Sequence, residues 1–274
     1  MGKWYKSSRY HIVMSRNWIY VAVALLPLCS CSLKEERDEC PCIVSLSLDP
    51  ALEGNVVFGA VSDDGYSFRR DDVLSDEEGG TVEYEIVRGN NILYMYQGNP
   101  VSDGPLIRYR NGVQADSVFA WNSGLLNTNM EMLSISPEFK KQFATVYLSI
   151  ISRNKSIFKI IVTGGVDGLD LRTMKPLAGE FACRADKIDD WYYVFRLPRQ
   201  FADESMASEP LKIEVYSETG LVASCPLGEA ISATGYDWED DSLSDIYVDM
   251  DIDLVNVSID VGNWEDGGEH SFKI

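Results

Sequence analysis

The sequence predicts an all-β protein in which two β-sandwich domains follow one another after a secretory leader. Three observations lead to this prediction. Short runs rich in β-branched and aromatic residues recur about every ten residues, with Gly, Pro, Asn and Asp between them. Signals for helices are few. A polar stretch at 123–138 separates two strand-rich blocks, each of ordinary domain size.

The first 30 residues have the composition of a lipoprotein signal peptide. They carry four basic residues and no acidic ones, and an apolar run extends from Trp18 to Leu28. This run is too short to span a bilayer, which needs about 20 apolar residues, but it suits the apolar region of a signal peptide. Residues 1–30 are therefore predicted to be removed.

The end of this leader resembles a bacterial lipobox. Leu28-Cys29-Ser30-Cys31 places an apolar residue three positions before Cys31 and a small residue directly before it. We predict cleavage between Ser30 and Cys31 and attachment of lipid to Cys31. Three acyl chains, palmitate among them, would hold the chain on a membrane, because a single chain holds it only marginally.

Residues 31–42 are predicted to form a lipidated linker. Within it, Lys34-Glu35-Glu36 resembles the signal that directs some lipoproteins to the outer face of the outer membrane. The whole chain has 24 basic and 43 acidic residues, a net charge of −19; without the four basic residues of the leader, the charge is −23. A chain this acidic is repelled by phosphate backbones, so nucleic acid is not an expected partner.

Most of the remaining chain is predicted to form strands. Residues 43–48 alternate between apolar and polar side chains, and residues 218–220 give a hairpin signal. Ser136-Pro137-Glu138 predicts a short helix to about Phe143, and Gly164-Gly165 predicts the end of a strand. The predicted domains are residues 43–130 and 131–274. The other predicted strands cover residues 55–61, 81–87, 92–96, 117–121, 145–151, 157–162, 191–197, 211–216, 221–224, 247–252 and 255–261.

Four cysteines other than Cys29 and Cys31 are candidates for disulfides, because the leader predicts an oxidising compartment. They are Cys40, Cys42, Cys183 and Cys225. Four cysteines allow three pairings, and the sequence does not select one. A zinc site of four cysteines is not expected, given their scattered spacing.

The sequence contains no recognisable catalytic apparatus. His11 and His270 are its two histidines. A catalytic triad needs a histidine as its base and a zinc hydrolase site needs histidines as ligands, so the chain has almost no residues from which to build either site. The motifs of dinucleotide-binding and phosphate-binding loops are absent. We therefore predict a protein that is not an enzyme and that has no cofactor other than the lipid on Cys31.

Two further patterns are interpreted as structural. Asp249, Asp251 and Asp253 have the spacing of calcium-loop ligands, but Leu254 stands where the loop needs Gly. A solvated strand face is expected instead, as are solvated acidic loops at 62–65 and 75–80, and no metal site is predicted. Four tryptophans could form a sugar-binding platform, although buried core positions are the favoured interpretation: Trp121, Trp191, Trp238 and Trp264.

Residues 31–46 are similar to the start of FimB/Mfa-type fimbrial subunit lipoproteins. In that family a lipid-bearing cysteine, an acidic spacer and a Cys-Pro pair precede the first strand, as Cys31, residues 34–39 and Cys40-Pro41 do here. The segments at 162–179 and 245–264 resemble the glycine-rich hairpin and closing strands of the same family.

This resemblance implies two transthyretin-like β-sandwich domains and a place in a type V fimbria. The expected role is that of an anchor or accessory subunit in the outer membrane, facing outward and joined to other fimbrial subunits by strand addition. An anchor retains its first strand, so residues 43–48 are expected to stay in the first sheet.

Two alternatives remain open. Arg69-Arg70, in a predicted loop, is a possible protease site. Cleavage near Arg70 would make the chain a polymerising shaft or tip subunit. A surface glycan-binding lipoprotein of a nutrient-uptake system would have similar β-sandwiches and exposed aromatic residues.

Overall fold

The strands form four sheets that hold nearly all of the regular structure in the described part of the chain. The computed structural model describes residues 40–49, 54–74, 80–152, 159–189, 191–252, 256–261 and 270–273. Sheet 1 has the order β4-β1-β9 and sheet 2 the order β10-β8-β5-β2-β3. The strands of sheets 1 and 2 are β1 Cys42–Ser47, β2 Gly54–Ser62, β3 Ser67–Leu74, β4 Thr81–Ile86, β5 Asn90–Gln97, β8 Phe119–Asn127, β9 Met132–Ile135 and β10 Lys140–Lys141.

Sheets 3 and 4 contain the remaining strands. Sheet 3 has the order β17-β16-β12-β7-β6, with β13 also paired to β12, and sheet 4 has the order β14-β15-β11-β18-β19-β20. These strands are β6 Val101–Asp103, β7 Leu106–Arg108, β11 Phe143–Ile151, β12 Lys159–Asp170, β13 Lys175–Arg184, β14 Asp186–Lys187, β15 Tyr192–Pro198, β16 Lys212–Ser217, β17 Gly220–Cys225, β18 Ile246–Asp251, β19 Asn256–Val261 and β20 His270–Lys273. The predicted all-β class is confirmed.

Two hydrophobic cores lie between these layers. The first core joins sheet 1 to one face of sheet 2 and contains Val44, Leu46, Phe58 and Met95 among others. The second core contains residues of sheets 3 and 4, together with the opposite face of sheet 2. Sheet 2 is thus buried on both faces, which explains why β2 has a continuous apolar run instead of an alternating pattern.

Strands on each side of the predicted boundary at residue 130 pair in sheets that belong mainly to the other side. β9 and β10 lie after it but pair in sheets 1 and 2, whereas β6 and β7 lie before it but pair in sheet 3. Residues Pro41–Ile274 form one compact unit. The division into domains 43–130 and 131–274 therefore stays a prediction.

The helix predicted from Ser136 is wrong. The segment is extended and contains β10 and the start of β11, because Lys140 and Lys141 pair with Ala120 and Phe119 of β8. A seven-residue helix, α1 (Leu227–Ala233), instead follows Pro226. A short 3-10 turn covers Glu204–Met206.

The strand break predicted at Gly164-Gly165 is also wrong. β12 continues through both residues to Asp170, with register shifts against β13 on either side of Val166. A Cβ atom on Gly165 would overlap the backbone of Ser208 and Glu209. Glycine is therefore used here to let another segment approach the strand closely.

Candidate functional site

The first strand, β1, lies in the middle of sheet 1. It pairs in antiparallel fashion with β4, where Val44 lies opposite Tyr84, and in parallel with β9, where Val44 lies opposite Leu133. The backbone N–H of Ile43 also donates to the carbonyl oxygen of Glu131 over 2.9 Å. Both edges of β1 are therefore hydrogen-bonded within the molecule.

The side chains of β1 alternate as its sequence predicts. Cys42, Val44 and Leu46 are fully buried in the first core, whereas Ser47 is exposed. The strand predicted at 43–48 is confirmed, and its apolar face is what holds it on sheet 2.

Aromatic rings form the neighbouring part of this core. Phe58 of β2 stacks on Tyr84 of β4, with ring centroids 4.2 Å apart and planes inclined by 5°. Phe68 of β3 packs against the edge of Phe58 at 6.0 Å. The rings tie sheet 1 to sheet 2 directly beside the first strand.

This arrangement makes the place of β1 a binding site for a strand. If β1 were absent, facing edges of β4 and β9 would lose their hydrogen-bond partners, and the apolar groove that receives Val44 and Leu46 would open. Such a groove is what β-augmentation requires: backbone pairing gives affinity and alternate side-chain pockets give specificity. In this chain the groove is filled by the chain's own strand.

Arg69 and Arg70 do not lie in the predicted loop. Both belong to β3, where Arg69 pairs with Gly59 and Arg70 with Phe58 of β2. The Arg69 guanidinium forms an ion pair with Asp71 at 3.0 Å and donates to the Ser102 hydroxyl at 2.6 Å. Hydrogen bonding to Asp71 raises the pKa of Arg69 further above its ordinary value.

Arg70 makes a different contact. Its guanidinium lies over the ring of Tyr84, 5.9 Å from the centroid. The placement of both arginines in a paired strand corrects the loop expectation, and cleavage at Arg69-Arg70 stays a prediction. Cleavage after Arg70 would remove all of β1 and β2 and half of β3.

Comparison with known proteins identifies the fold. Neither a family model nor a curated protein matches the sequence. A candidate polysaccharide-binding protein of Bacteroides thetaiotaomicron superposes with a TM-score of 0.58 at 13% identity, covering 86% of this chain and 99% of that one. A candidate adhesin of the same species gives 0.57 at 12% identity, covering 85% and 98%.

The fimbrial anchor protein Mfa2 of Porphyromonas gingivalis also superposes. Its TM-score is 0.55 at 12% identity, and the match covers 85% of this chain and all of that one (100%). The chain has the fold of these three proteins. At such low identity the likeness establishes the fold alone.

The cysteines are free thiols wherever the structure describes them. Cys183 lies opposite Val162, Val162 opposite Ile213, and Ile213 opposite Cys225, so the two cysteines stand three strand spacings apart. That is about 14 Å at the usual spacing, whereas a disulfide needs Cα atoms within about 7 Å. A Cys183–Cys225 disulfide is therefore ruled out.

The other two cysteines differ in exposure. Cys40 is exposed and Cys42 is buried in the first core. Burial raises the pKa of Cys183 to about 12 and that of Cys225 to about 11, and it also raises the pKa of Cys42. All four are unpaired in this structure, and a disulfide that joins Cys40 or Cys42 to another of these four cysteines stays a prediction.

The exposure of Asp249 and Asp251 agrees with the predicted solvated strand face. Asp249 is exposed and Asp251 half-buried, while the intervening Met250 is buried. Asp253 lies outside the described residues, as does most of the acidic loop at 75–80. In the part of the chain that the structure describes, no group of three or more His, Cys, Asp or Glu side chains is placed to hold a metal ion.

The tryptophans divide between core and surface. Trp238 is 5% exposed, which matches a core position, whereas Trp121 and Trp191 are half-buried. Trp264 lies outside the described residues.

The predicted membrane-directing residues lie outside the described part. These are Ser30 and Cys31 at the cleavage site and Lys34, Glu35 and Glu36 in the linker. Among the residues that are described, no helix is both long and apolar enough to cross a bilayer.

One buried polar cluster was missed by sequence reasoning. Arg199 is 5% exposed, and its Nε donates to Oε1 of the fully buried Gln142 over 2.9 Å. Its other nitrogens donate to the carbonyl oxygens of Trp238 and Asp241. The one sequence signal for this cluster is Pro198-Arg199, where a charged residue directly follows the end of an apolar strand.

Proposed function

We propose that the protein is a lipoprotein of the outer membrane that serves as an anchor or accessory subunit of a type V fimbria. Its work is structural, in cell adhesion, and not enzymatic. The observation that supports this role most directly is the position of β1, paired on both sides and buried through Val44 and Leu46. The shared fold with a fimbrial anchor protein supports the same role.

The anchor role requires that lipid and folded body remain joined. Lipid on Cys31 would be separated from the start of β1 at Cys42 by eleven Cα–Cα steps, which span at most about 40 Å when fully extended. Lys34, Glu35 and Glu36 within this linker would direct the lipoprotein to the outer face. The body would thus stay close to the membrane while presenting its surface to other subunits.

Attachment to other fimbrial subunits is proposed to use strand addition. Because this chain keeps β1 in its own groove, it would offer a strand or an edge to the next subunit without accepting one at sheet 1. A shaft or tip subunit would instead lose β1 by cleavage. Cleavage near Arg70 would also remove β2, whose Phe58 is fully buried in the first core, and this disfavours the shaft alternative.

The proposal is tested by comparing cells that make the unaltered chain with cells that make Cys31→Ala. Fimbrial material in the cell and medium fractions is measured by immunoblotting, with Cys29→Ala as the matched control. Loss of lipidation should release fimbriae into the medium, while Cys29→Ala should retain them on cells. Equal retention in both variants would refute the anchoring role.

A further inference from the structure

An open cleft lies apart from the groove of β1. Its volume is about 570 Å³, within the range of small-molecule sites. Five segments form its walls: β8, residues 138–142, the β12–β13 turn at 173–176, residues 199–206 and residues 238–241. The proposed fimbrial role assigns nothing to this cleft.

Buried hydrogen bonds fix the floor of the cleft. Arg199 joins Gln142 to the carbonyl oxygens of Trp238 and Asp241, and the Gln142 amide donates to the carbonyl oxygens of Lys140 and Asp241 at 3.1 Å each. These bonds connect three of the five segments. The site is therefore formed before any ligand arrives, which lowers the entropy lost on binding.

Aromatic side chains supply the apolar part of the lining. Phe201 is half-buried, so part of its side chain is open to solvent. Trp238 lies deeper and is held by an edge contact with Tyr236, with ring centroids 4.6 Å apart. A flat ring with an open face packs well against the C–H face of a sugar.

Charged side chains of both signs complete the lining. Carboxylates and cations are present in nearly equal number, which gives the cleft little net charge. These residues are Glu138, Asp203, Glu239, Asp241, Lys140, Lys175 and Arg199. An anionic ligand would meet the carboxylates and the strongly acidic chain as a whole, whereas a neutral ligand rich in hydroxyl groups can use both donors and acceptors.

We propose that this cleft binds a neutral saccharide. Phe201 packs against a sugar ring, and the charged groups at the rim, Glu239 and Lys175 among them, bond to the hydroxyls of the saccharide. This inference does not depend on the fimbrial role, because anchoring and saccharide binding use different parts of the fold.

The test uses the full mature chain, purified in detergent with its lipid. It is applied to an array of neutral oligosaccharides built from glucose, galactose, mannose and N-acetylglucosamine, with acidic oligosaccharides alongside, and the strongest binder is titrated by calorimetry. Phe201→Ala should weaken affinity about tenfold or more, the loss expected for truncating a central aromatic contact. Trp191→Ala is the matched control, a half-buried tryptophan outside the cleft, and should leave the affinity unchanged.

The Phe201→Ala variant is checked for folding by circular dichroism. Glu239→Gln provides a second variant at an exposed position and should weaken binding without altering the melting temperature. Absence of binding to every neutral oligosaccharide would overturn the proposal. So would selective binding of acidic oligosaccharides, or neutral binding that Phe201→Ala and Glu239→Gln leave unchanged.

Discussion

Replacing Leu46 by alanine tests whether β1 is an integral part of the fold. Leu46 is fully buried in the first core, and it lies opposite Val82 on β4 and Ile135 on β9. Truncating a buried leucine removes its transfer free energy and leaves a cavity, which together destabilise a protein by 2–5 kcal/mol. Because neighbours on both sides are held by strand pairing, we expect little collapse and a loss of about 3 kcal/mol.

The free energy of unfolding is measured by urea titration of the chain from Ser32 onward, which lacks the lipid. A loss of about 3 kcal/mol corresponds to a fall in melting temperature of about 6–12 °C for a chain of this size. Ser47→Ala is the matched control, since Ser47 belongs to the same strand but is exposed. It should change stability by no more than about 0.5 kcal/mol.

Equal free energies of unfolding for Leu46→Ala and Ser47→Ala would refute the expectation that β1 is an integral part of the fold. If Leu46→Ala has the same melting temperature as Ser47→Ala and the unaltered chain, β1 contributes little to the stability of the fold. The groove between β4 and β9 would then be open to another strand, and the argument for an anchor would fail.

Two further predictions concern other parts of the structure. Gly59→Ala should destabilise the protein by about 1–3 kcal/mol, because the added Cβ would overlap the ring of Tyr94 on the facing strand, and thermal unfolding checks this. In the folded chain at pH 8, iodoacetamide should alkylate Cys40 and leave Cys183 and Cys225 unmodified, since burial raises their pKa and keeps the thiols neutral; peptide mass spectrometry would contradict this by finding all of them labelled.

Strand patterns were the part of the fold most open to prediction. The alternation at 43–48 predicted β1, and the hairpin signal at Glu218-Thr219-Gly220 predicted the pairing of β16 with β17. Both patterns are local, because neighbouring residues determine alternate burial along a strand and the formation of a tight turn.

Other predictions failed where distant contacts decide the structure. Ser136-Pro137 carries the start signal of a helix, but pairing with β8 holds the segment extended. Gly164-Gly165 was interpreted as a strand end because sequence cannot show that the backbone of Glu209 approaches there. Tertiary contacts of this kind override local propensity.

The two candidate sites also differ in how far the sequence predicts them. The alternating pattern predicted the strand β1, and the family resemblance implied its groove, whereas the cleft is built from five segments spread from residue 120 to residue 241, none of which carries a motif. Arg69-Arg70 was expected in a loop, yet Phe68 packs on the first core and keeps the segment in β3. Charge and composition alone could not reveal that packing.

An anchor subunit must keep both its lipid and β1 on the mature chain. Intact protein is released from the cell surface by detergent, and its N-terminal peptide is identified by mass spectrometry. We expect a lipidated Cys31 followed by residues 32–48 without interruption. A mature chain that begins at Arg70 or Asp71 would contradict it, because that chain would have lost both its anchor and the strand that fills its groove.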